Sequence, residues 1–182
     1  MSTQITYLNH SGFSVETDSK VLVFDYYKDP SGTVKAYSQI RRKPVWFFVT
    51  HWHDDHFNGR IADFDGDQYI INEDVPLKRD GLKAVHAMKL YDTLTLGDTK
   101  ITQFGSTDEG GSFLVETDGL KIFHAGDLNW WHWLGDTDEN NAEANANFER
   151  EMKHLAGRTF DITFFPVDAR LEGAREWGVK AF

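Results

Sequence analysis

The amino-acid sequence predicts an α/β (α+β) protein in which two sheets pack together and helices cover their outer faces. Three observations support this fold class. Strand-like runs dominate, the few helical ones fall between them, and hydrophobic residues make up 40% of the chain, which is enough for a substantial core. Since 182 residues suit one domain, we expect a single domain over residues 1–182.

The strand-like runs are β-branched or aromatic and are separated by Gly, Asp or Ser turns. They lie at residues 5–8, 13–16, 21–24, 45–49, 69–71, 94–96, 100–104, 112–116, 120–123 and 162–165. The run 45–49 is wholly apolar, which is typical of a strand buried on both faces. Thr117-Asp118-Gly119 predicts a hairpin turn, because Gly tolerates the positive φ that such a turn needs.

Residues 141–156 form the best candidate helix. The apolar residues Phe148, Met152 and Leu155 recur at spacings of four and three, as on one face of an α-helix. Gly157 follows, where a helix commonly ends on a glycine.

Composition argues against several classes of function. The formal net charge of −10 disfavours binding to nucleic acid, and no apolar stretch approaches the roughly 18 residues of a membrane helix. The chain contains no cysteine, so disulfides and thiolate metal ligands are absent. The first nine residues lack the basic start and apolar run of a signal peptide. We therefore expect a cytoplasmic protein whose partner is a small-molecule substrate rather than a membrane or a nucleic acid.

A dense group of histidines and aspartates directly follows the apolar strand 45–49. His51 and His53 are two residues apart and can face one cation, whereas Asp55 and His56 lie where a helix could begin and would approach a second cation from another side. Imidazole and carboxylate groups suit zinc, iron or manganese. The alternative is a polar loop with solvated histidines.

A second acidic group follows the strand 120–123. Gly126 allows a close approach of the backbone, and Asp127 could then bridge two cations. Taken alone, a strand that ends in Gly-Asp is equally typical of an ordinary turn.

These motifs resemble the metallo-β-lactamase superfamily, whose signature His-x-His-x-Asp-His is matched in full at residues 51–56. Gly126-Asp127 and the strand-end Asp25 are similar to two further positions of that family. Residues 104–127 are similar to a branch of metal-dependent hydrolases that includes the ascorbate-phosphate lactonases. The resemblance implies a four-layer αββα sandwich with the site along one edge of the two sheets.

The resemblance also implies a ligand set and a reaction. His51 and His53 would hold one metal, Asp55 and His56 a second, and Asp127 would bridge them. The implied cofactor is one or two divalent metals per chain, with zinc first and manganese or iron as alternatives. The implied reaction is hydrolysis of a small ester, lactone or phosphoester by a metal-activated water, with Asp55 as the catalytic group that orients the water or acts as base.

Two departures from the family pattern concern the ligands. The family usually has a histidine before the strand that leads to the Gly-Asp turn, and spacing puts Asp108 in its place with Glu109 next to it. Either carboxylate could bind a hard cation, or both are turn acids. The family usually adds a C-terminal histidine to the second metal, and here no histidine follows His154, so we expect that site to be incomplete, weak or empty, or the chain to be shorter than its relatives.

Several residues are candidates for substrate binding. Trp130, Trp131 and Trp133 follow Asp127 and could wall a pocket, in which His124 and His132 would be polar groups. Core packing, or a contact in a homo-oligomer, is the alternative for the tryptophans.

Two further residues have both a functional and a structural interpretation. Arg170 could bind an anionic substrate or could pair with Asp168. His10 is similar to a position near the site in relatives.

Two functions other than small-molecule hydrolysis stay open. One is a degenerate metal-binding protein without turnover, and the other is a nucleic-acid-processing nuclease, against which the acidic charge argues.

Overall fold

A computed structural model describes residues 3–182 and divides them between two sheets, three α-helices and two 3₁₀ helices. The strands are β1 (Gln4–Asn9), β2 (Gly12–Glu16), β3 (Val21–Phe24), β4 (Val45–Val49), β5 (Gln68–Asn72), β6 (Val85–Met88), β7 (Thr93–Leu96), β8 (Thr99–Phe104), β9 (Ser112–Thr117), β10 (Leu120–His124) and β11 (Ile162–Phe164). The α-helices are α1 (Thr33–Ile40), α2 (Asp138–Leu155) and α3 (Trp177–Ala181), and the 3₁₀ helices are Gly59–Phe64 and Ala169–Ala174.

The first sheet has six strands in chain order, from β1 to β6. β1, β2 and β3 pair antiparallel, whereas β3, β4, β5 and β6 pair parallel. The second sheet has the order β11-β10-β9-β8-β7, and only its β10–β11 pair is parallel. Long connections therefore cross outside the first sheet, as parallel pairing requires.

The core has three parts, which correspond to the spaces between four layers. The central part joins the facing sides of the two sheets and includes Phe24, Phe48, Ile101 and Phe113. An outer part packs Val34 of α1 and the 3₁₀ helix Gly59–Phe64 on the first sheet, and another packs Phe148 and Leu155 of α2 on the second sheet. The layers thus run helix, sheet, sheet, helix, which confirms the αββα architecture.

The strand ends that precede the candidate ligands meet at one edge of this sandwich. Asp25 follows β3, Thr50 and His51 follow β4, and the turn at Gly126 follows β10. A Cβ atom at Gly126, whose φ is 57°, would lie 2.9 Å from Oγ1 of Thr50. The two sheets can approach this closely only because Gly126 has no side chain.

The predicted strands and the hairpin turn are confirmed, while several local features differ from the sequence predictions. Helices α1 and α3 and strand β6 were not predicted. Residues 54–56 form a turn rather than the start of a helix, and a 3₁₀ helix begins only at Gly59 after its N-cap Asn58. Helix α2 is confirmed but begins at Asp138, three residues before the predicted start, because the Thr137 side chain caps it by accepting from the Asn140 N–H. Gly157 follows the end of α2 with a φ of 76°.

Of the helices within residues 3–182, none combines the length and the hydropathy that crossing a bilayer would require.

Candidate metal centre

Two groups of side chains at this edge could each hold a metal ion. The inner group consists of His51, His53 and Asp127, and its three ligand atoms lie within 4.8 Å of one another. The outer group consists of His10, Asp55 and His56 and satisfies the same distance. Each group offers two imidazoles and one carboxylate, a donor set that suits zinc, manganese or iron.

The ring of His51 is held by a chain of hydrogen bonds behind it. Thr50 Oγ1 donates to Asp25 Oδ2 at 2.7 Å, so it can accept from His51 Nδ1, which lies 3.0 Å away. This arrangement places the free Nε2 of His51 on the site side, 3.6 Å from Asp127 Oδ2. That nitrogen is buried and has no hydrogen-bond partner among the described residues. Burial and the neighbouring His56 lower the pKa of His51 to about 4, so its ring is neutral at pH 7.

His56 lies between two carboxylates. Its Nδ1 is 2.8 Å from Asp25 Oδ2 and its Nε2 is 3.1 Å from Asp127 Oδ1. Burial alone would lower the pKa of His56, but the hydrogen bonds to Asp127 and Asp25 outweigh it and raise that pKa to about 10. A cation that binds at Nε2 must therefore displace a proton, as is usual for a metal ligand.

Asp25 supports both groups from behind without facing the site. It is completely buried, and besides Thr50 Oγ1 and His56 it accepts from the backbone N–H of Thr50 at 2.8 Å. Burial would raise the pKa of Asp25, but the neighbouring imidazoles of His124 and His56 lower it to about 2. A carboxylate that orients ligating histidines is a common supporting feature of metal sites.

Asp127 belongs to the inner group and also contacts His56 of the outer group. One oxygen faces His51 and the other faces His56, at the distances given above, and its side chain is 18% exposed. Burial would raise the pKa of Asp127, but the hydrogen bond and the charge of His56 lower it. Asp127 therefore lies between the two candidate metal groups.

The two acids proposed to replace the usual histidine lie outside both groups. Asp108 and Glu109 are exposed, and neither is among the clustered ligand atoms. The neighbouring Gly110 instead brings its backbone against the loop, since a Cβ there would lie 2.5 Å from Cβ of His51. Ligation by Asp108 or Glu109 therefore has no geometric support here.

A cleft of about 530 Å³ opens beside the two groups. Asp55, Asp127, Trp131 and Arg170 are among its lining residues. Trp131 is held next to Asp127, because its Nε1 donates to the carbonyl of Asp127 at 3.0 Å. Arg170 pairs with Asp168, with Nε 2.8 Å from Oδ2. The cleft therefore combines an aromatic wall with a mixed-charge rim.

Of the two histidines expected in a substrate pocket, one lines the cleft and the other does not. His124 is 2% exposed, donates from Nε2 to the carbonyl of Ser11 at 2.8 Å and accepts from the Gly126 N–H at Nδ1. Both of its nitrogens are thus used internally, which indicates a structural role. His132 is outside the lining and packs on Trp177, with ring centroids 4.6 Å apart.

His10 and Ser11 are the site residues that sequence reasoning did not place among the ligands. They form the turn between β1 and β2, and the ring centroid of His10 lies 5.4 Å from that of His56. The available signal was a His-Ser-Gly turn directly after a strand, which does not reveal that the hairpin folds over the loop at residues 51–56.

Together, the layered fold and the paired His/Asp groups define a protein of the metallo-β-lactamase fold with a candidate two-metal centre. A family model described as "Beta-lactamase superfamily domain" matches residues 4–171, which is most of the chain. The chain therefore belongs to the beta-lactamase superfamily.

Similar proteins agree with this assignment. A curated metal-dependent hydrolase from Alkaliphilus metalliredigens (strain QYMF) is 26% identical over 90% of this chain and 72% of its own length. The chain spans only 59% to 62% of three further curated relatives that carry the same description. A metallo-beta-lactamase from Staphylococcus aureus subsp. aureus COL matches the whole chain and 62% of its own, with a TM-score of 0.61 and 13% identity. Igni18, a metallo hydrolase from Ignicoccus hospitalis KIN4/I, matches 69% of this chain and 61% of its own, with a TM-score of 0.55 and 20% identity. At these identities the solved structures bear on the fold alone.

Proposed function

We propose that this protein is a metal-dependent hydrolase that cleaves a small ester, lactone or phosphoester. The observation that carries the proposal is the orphaned Nε2 of His51. It is fully buried without a hydrogen-bond partner among the described residues, and it points toward Asp127 in a group that also contains His53. A buried, unpaired polar atom is costly, and a cation would satisfy it.

The residues fit a divalent cation in their chemistry as well as in their placement. His51 and His53 offer imidazoles, Asp127 offers a carboxylate, and Thr50 and Asp25 fix the ring of His51 from behind. When bound there, such a cation lowers the pKa of water to about 7 and polarises the oxygen of a carbonyl or phosphoryl group.

Asp55 is the residue to which we assign proton handling. Its carboxylate lines the cleft and is 51% exposed, and its Oδ2 is 3.5 Å from His10 Nε2. A carboxylate in this position can orient a water or accept its proton beside a substrate in the cleft. This assignment includes Asp55 both as a ligand of the outer group and as the catalytic group.

The cleft suits a small substrate with an apolar body. Tyr7, Phe13, Phe164 and Trp131 line it, and Arg170 stands at its rim. An anionic substrate group would have to compete with Asp168 for Arg170, so we assign Arg170 a secondary part in binding. Zinc as the metal and the cytoplasm as the location are further parts of the proposal, and the absence of cysteine from these 182 residues fits the location.

The test combines metal analysis with turnover. Purified chain is loaded with Zn²⁺ or Mn²⁺ and assayed on an activated phosphodiester, a carboxylic ester and a lactone. We expect turnover that chelation abolishes, loss of activity by at least about 100-fold in Asp55→Ala, as removal of a general base typically costs, and loss of a bound metal in His53→Ala. The matched control is His154→Ala, since His154 is exposed on α2, far from the ligand groups in sequence.

Unchanged metal content and unchanged hydrolysis in both variants would refute the proposal. Metal binding with no turnover on any of the three substrate classes would instead support a metal-binding protein that is not a hydrolase. Cleavage of nucleic acid in preference to small substrates would support the nuclease.

A further inference from the structure

We propose that His10 completes a second divalent-cation site together with Asp55 and His56. The inference rests on the proposed function, since it names a ligand for the same centre. One ligand atom of each residue lies within 4.8 Å of the others. His10 lies 45 and 46 residues before its two partners, so only the fold brings the three together.

The backbone of His10 supports a role beyond that of a turn residue. Its φ is 51°, in the left-handed region that costs a residue with a Cβ about 1–2 kcal/mol. Glycine would avoid this cost, yet an imidazole stands here with its ring edge-on to His56. Strain of this kind persists where the surroundings impose it, and it concentrates at functional sites.

The turn that carries His10 is fixed to the centre at two points. The carbonyl of Ser11 accepts from the buried His124 at 2.8 Å. A Cβ atom at Gly12 would lie 2.9 Å from the carbonyl oxygen of Asp25, so the hairpin backbone lies directly against the residue that supports both groups. The position of His10 relative to His56 is therefore set by packing rather than by a mobile loop.

The ring of His10 is also oriented for ligation. Its Nδ1 lies 3.3 Å from Ser11 Oγ, and its Nε2 lies 3.5 Å from Asp55 Oδ2. When Nδ1 donates its proton to the hydroxyl, the lone pair of Nε2 faces Asp55, which is the usual arrangement for a ligating histidine with a hydrogen-bond partner. The alternative is a simple ion pair between two side chains that are each about half exposed, 49% and 51%.

The proposed second site opens on the substrate cleft. His10 and Asp55 both line the cleft, whereas His51 and His53 do not. Two imidazoles and one carboxylate leave coordination positions free, so a substrate oxygen could reach this site from the cleft. The substrate class that suits it carries a carbonyl or phosphoryl oxygen next to an apolar body.

The decisive variant is His10→Gly, because glycine removes the imidazole and accepts the positive φ without cost. Metal-stripped wild-type chain, His10→Gly and the control His154→Ala are titrated with Zn²⁺, and bound metal is counted by mass spectrometry of the dialysed protein. Co²⁺ replaces Zn²⁺ in a parallel titration, so that the visible absorption band reports how many sites are filled and with what coordination. Urea unfolding of the metal-free forms checks that His10→Gly is at least as stable as the wild type.

We expect two cations in the wild type and in His154→Ala, and one in His10→Gly. Loss of a supporting partner already lowers metal affinity by about 10–100-fold. Loss of the ligand His10 itself is therefore expected to lower the affinity for the second cation by more than about 100-fold. Two tightly bound cations in His10→Gly would overturn the inference and leave the proposed function standing. A single cation in the wild type, unaffected by His10→Gly, would also overturn it and would leave only the ion pair with Asp55. No bound cation in the wild type would contradict the proposed function itself.

Discussion

The inner and outer groups offer a cation the same donors, but more of the outer group is exposed. In the inner group His51 is completely buried and Asp127 is 18% exposed, whereas His10 and Asp55 of the outer group are 49% and 51% exposed. His51 has a supporting chain through Thr50 to Asp25, while Nδ1 of His10 faces the hydroxyl of Ser11 at 3.3 Å. The two groups thus have matching ligand types. In the outer group, His56 is as buried as His51 and is held by Asp25, whereas His10 and Asp55 are half exposed.

This contrast bears on how tightly each group binds. Buried, pre-oriented ligands lose little freedom on binding and exclude competing water, while exposed side chains must be ordered when the metal arrives. We therefore expect the inner group to bind the first cation and the outer group to exchange its cation more readily. Because Asp127 contacts both groups, we expect binding of one cation to change the affinity for the other.

Removal of Asp25 should have the largest effect, because it supports both groups at once. Asp25→Ala leaves His56 and Thr50 without their buried acceptor, so we expect a loss of about 3–5 kcal/mol in the free energy of unfolding of the metal-free protein. Both cations should be lost as well. Urea unfolding and metal counting measure the two effects, with Asp54→Ala, an exposed acid of the same loop, as control. Loss of only one cation would show that the two groups do not share this support.

A methyl group at Gly110 should damage the inner group by contact. Its Cβ would lie 2.2 Å from the carbonyl of Thr50 and 2.5 Å from Cβ of His51. Gly97 is the matched control, since its φ of 61° is close to the 64° of Gly110 but its Cβ would meet nothing within 4 Å. Gly97→Ala should lower the free energy of unfolding by about 1–2 kcal/mol, because alanine is strained in the left-handed conformation.

Gly110→Ala should lower the free energy of unfolding, measured in urea, by more than Gly97→Ala does. It should also weaken binding of the first cation. Equal losses of stability in the two variants, with metal affinity unchanged, would mean that the loop can move away from His51 and that the inner group is less rigid than its burial indicates.

A smaller and more selective effect is expected from Thr50→Val. The variant keeps the shape of the side chain but removes the hydroxyl between His51 and Asp25. We expect affinity for the first cation to fall by about 10–100-fold, the usual effect of losing a supporting partner. Calorimetric titration of the metal-free protein measures it, and Thr50→Ser, which keeps the hydroxyl, should bind nearly as the wild type does. A greater loss at the second cation than at the first would reverse the assignment of Thr50 to the inner group.

The smallest effect should come from the exposed acids beside Gly110. Asp108→Asn and Glu109→Gln should leave the affinity and number of bound cations unchanged, because neither side chain belongs to a ligand group. The same calorimetric titration tests this expectation. A clear loss of one cation in either variant would revive the hypothesis that an acid replaces the family's usual histidine.

The parts of this centre that could be predicted from sequence are those that lie close together along the chain. His51, His53, Asp55 and His56 fall within six residues, so one local conformation determines their shared location. Ten of the eleven strands could be predicted because each contains a run of apolar, aromatic or β-branched residues bounded by turn residues.

The unpredicted parts depend on contacts between distant segments. His10 approaches His56 only because the β1–β2 hairpin packs against Asp25, and no local pattern encodes that contact. Helix α1 has only eight residues and strand β6 only four, so each is too short for its sequence to distinguish it clearly from a loop. Spacing alone put Asp108 in the place of a ligand. In the structure, Gly110 rather than Asp108 packs against His51, and the side chain of Asp108 is exposed.

Anomalous scattering from crystals of the Zn²⁺-loaded protein, recorded on both sides of the zinc edge, would locate the bound cations relative to His51, His53 and Asp127. We expect a strong peak bounded by His51 Nε2, His53 and Asp127, with a second and weaker peak on the other side of Asp127. Zinc bound elsewhere on the chain, with the rings of His51 and His53 turned away from Asp127, would contradict this expectation.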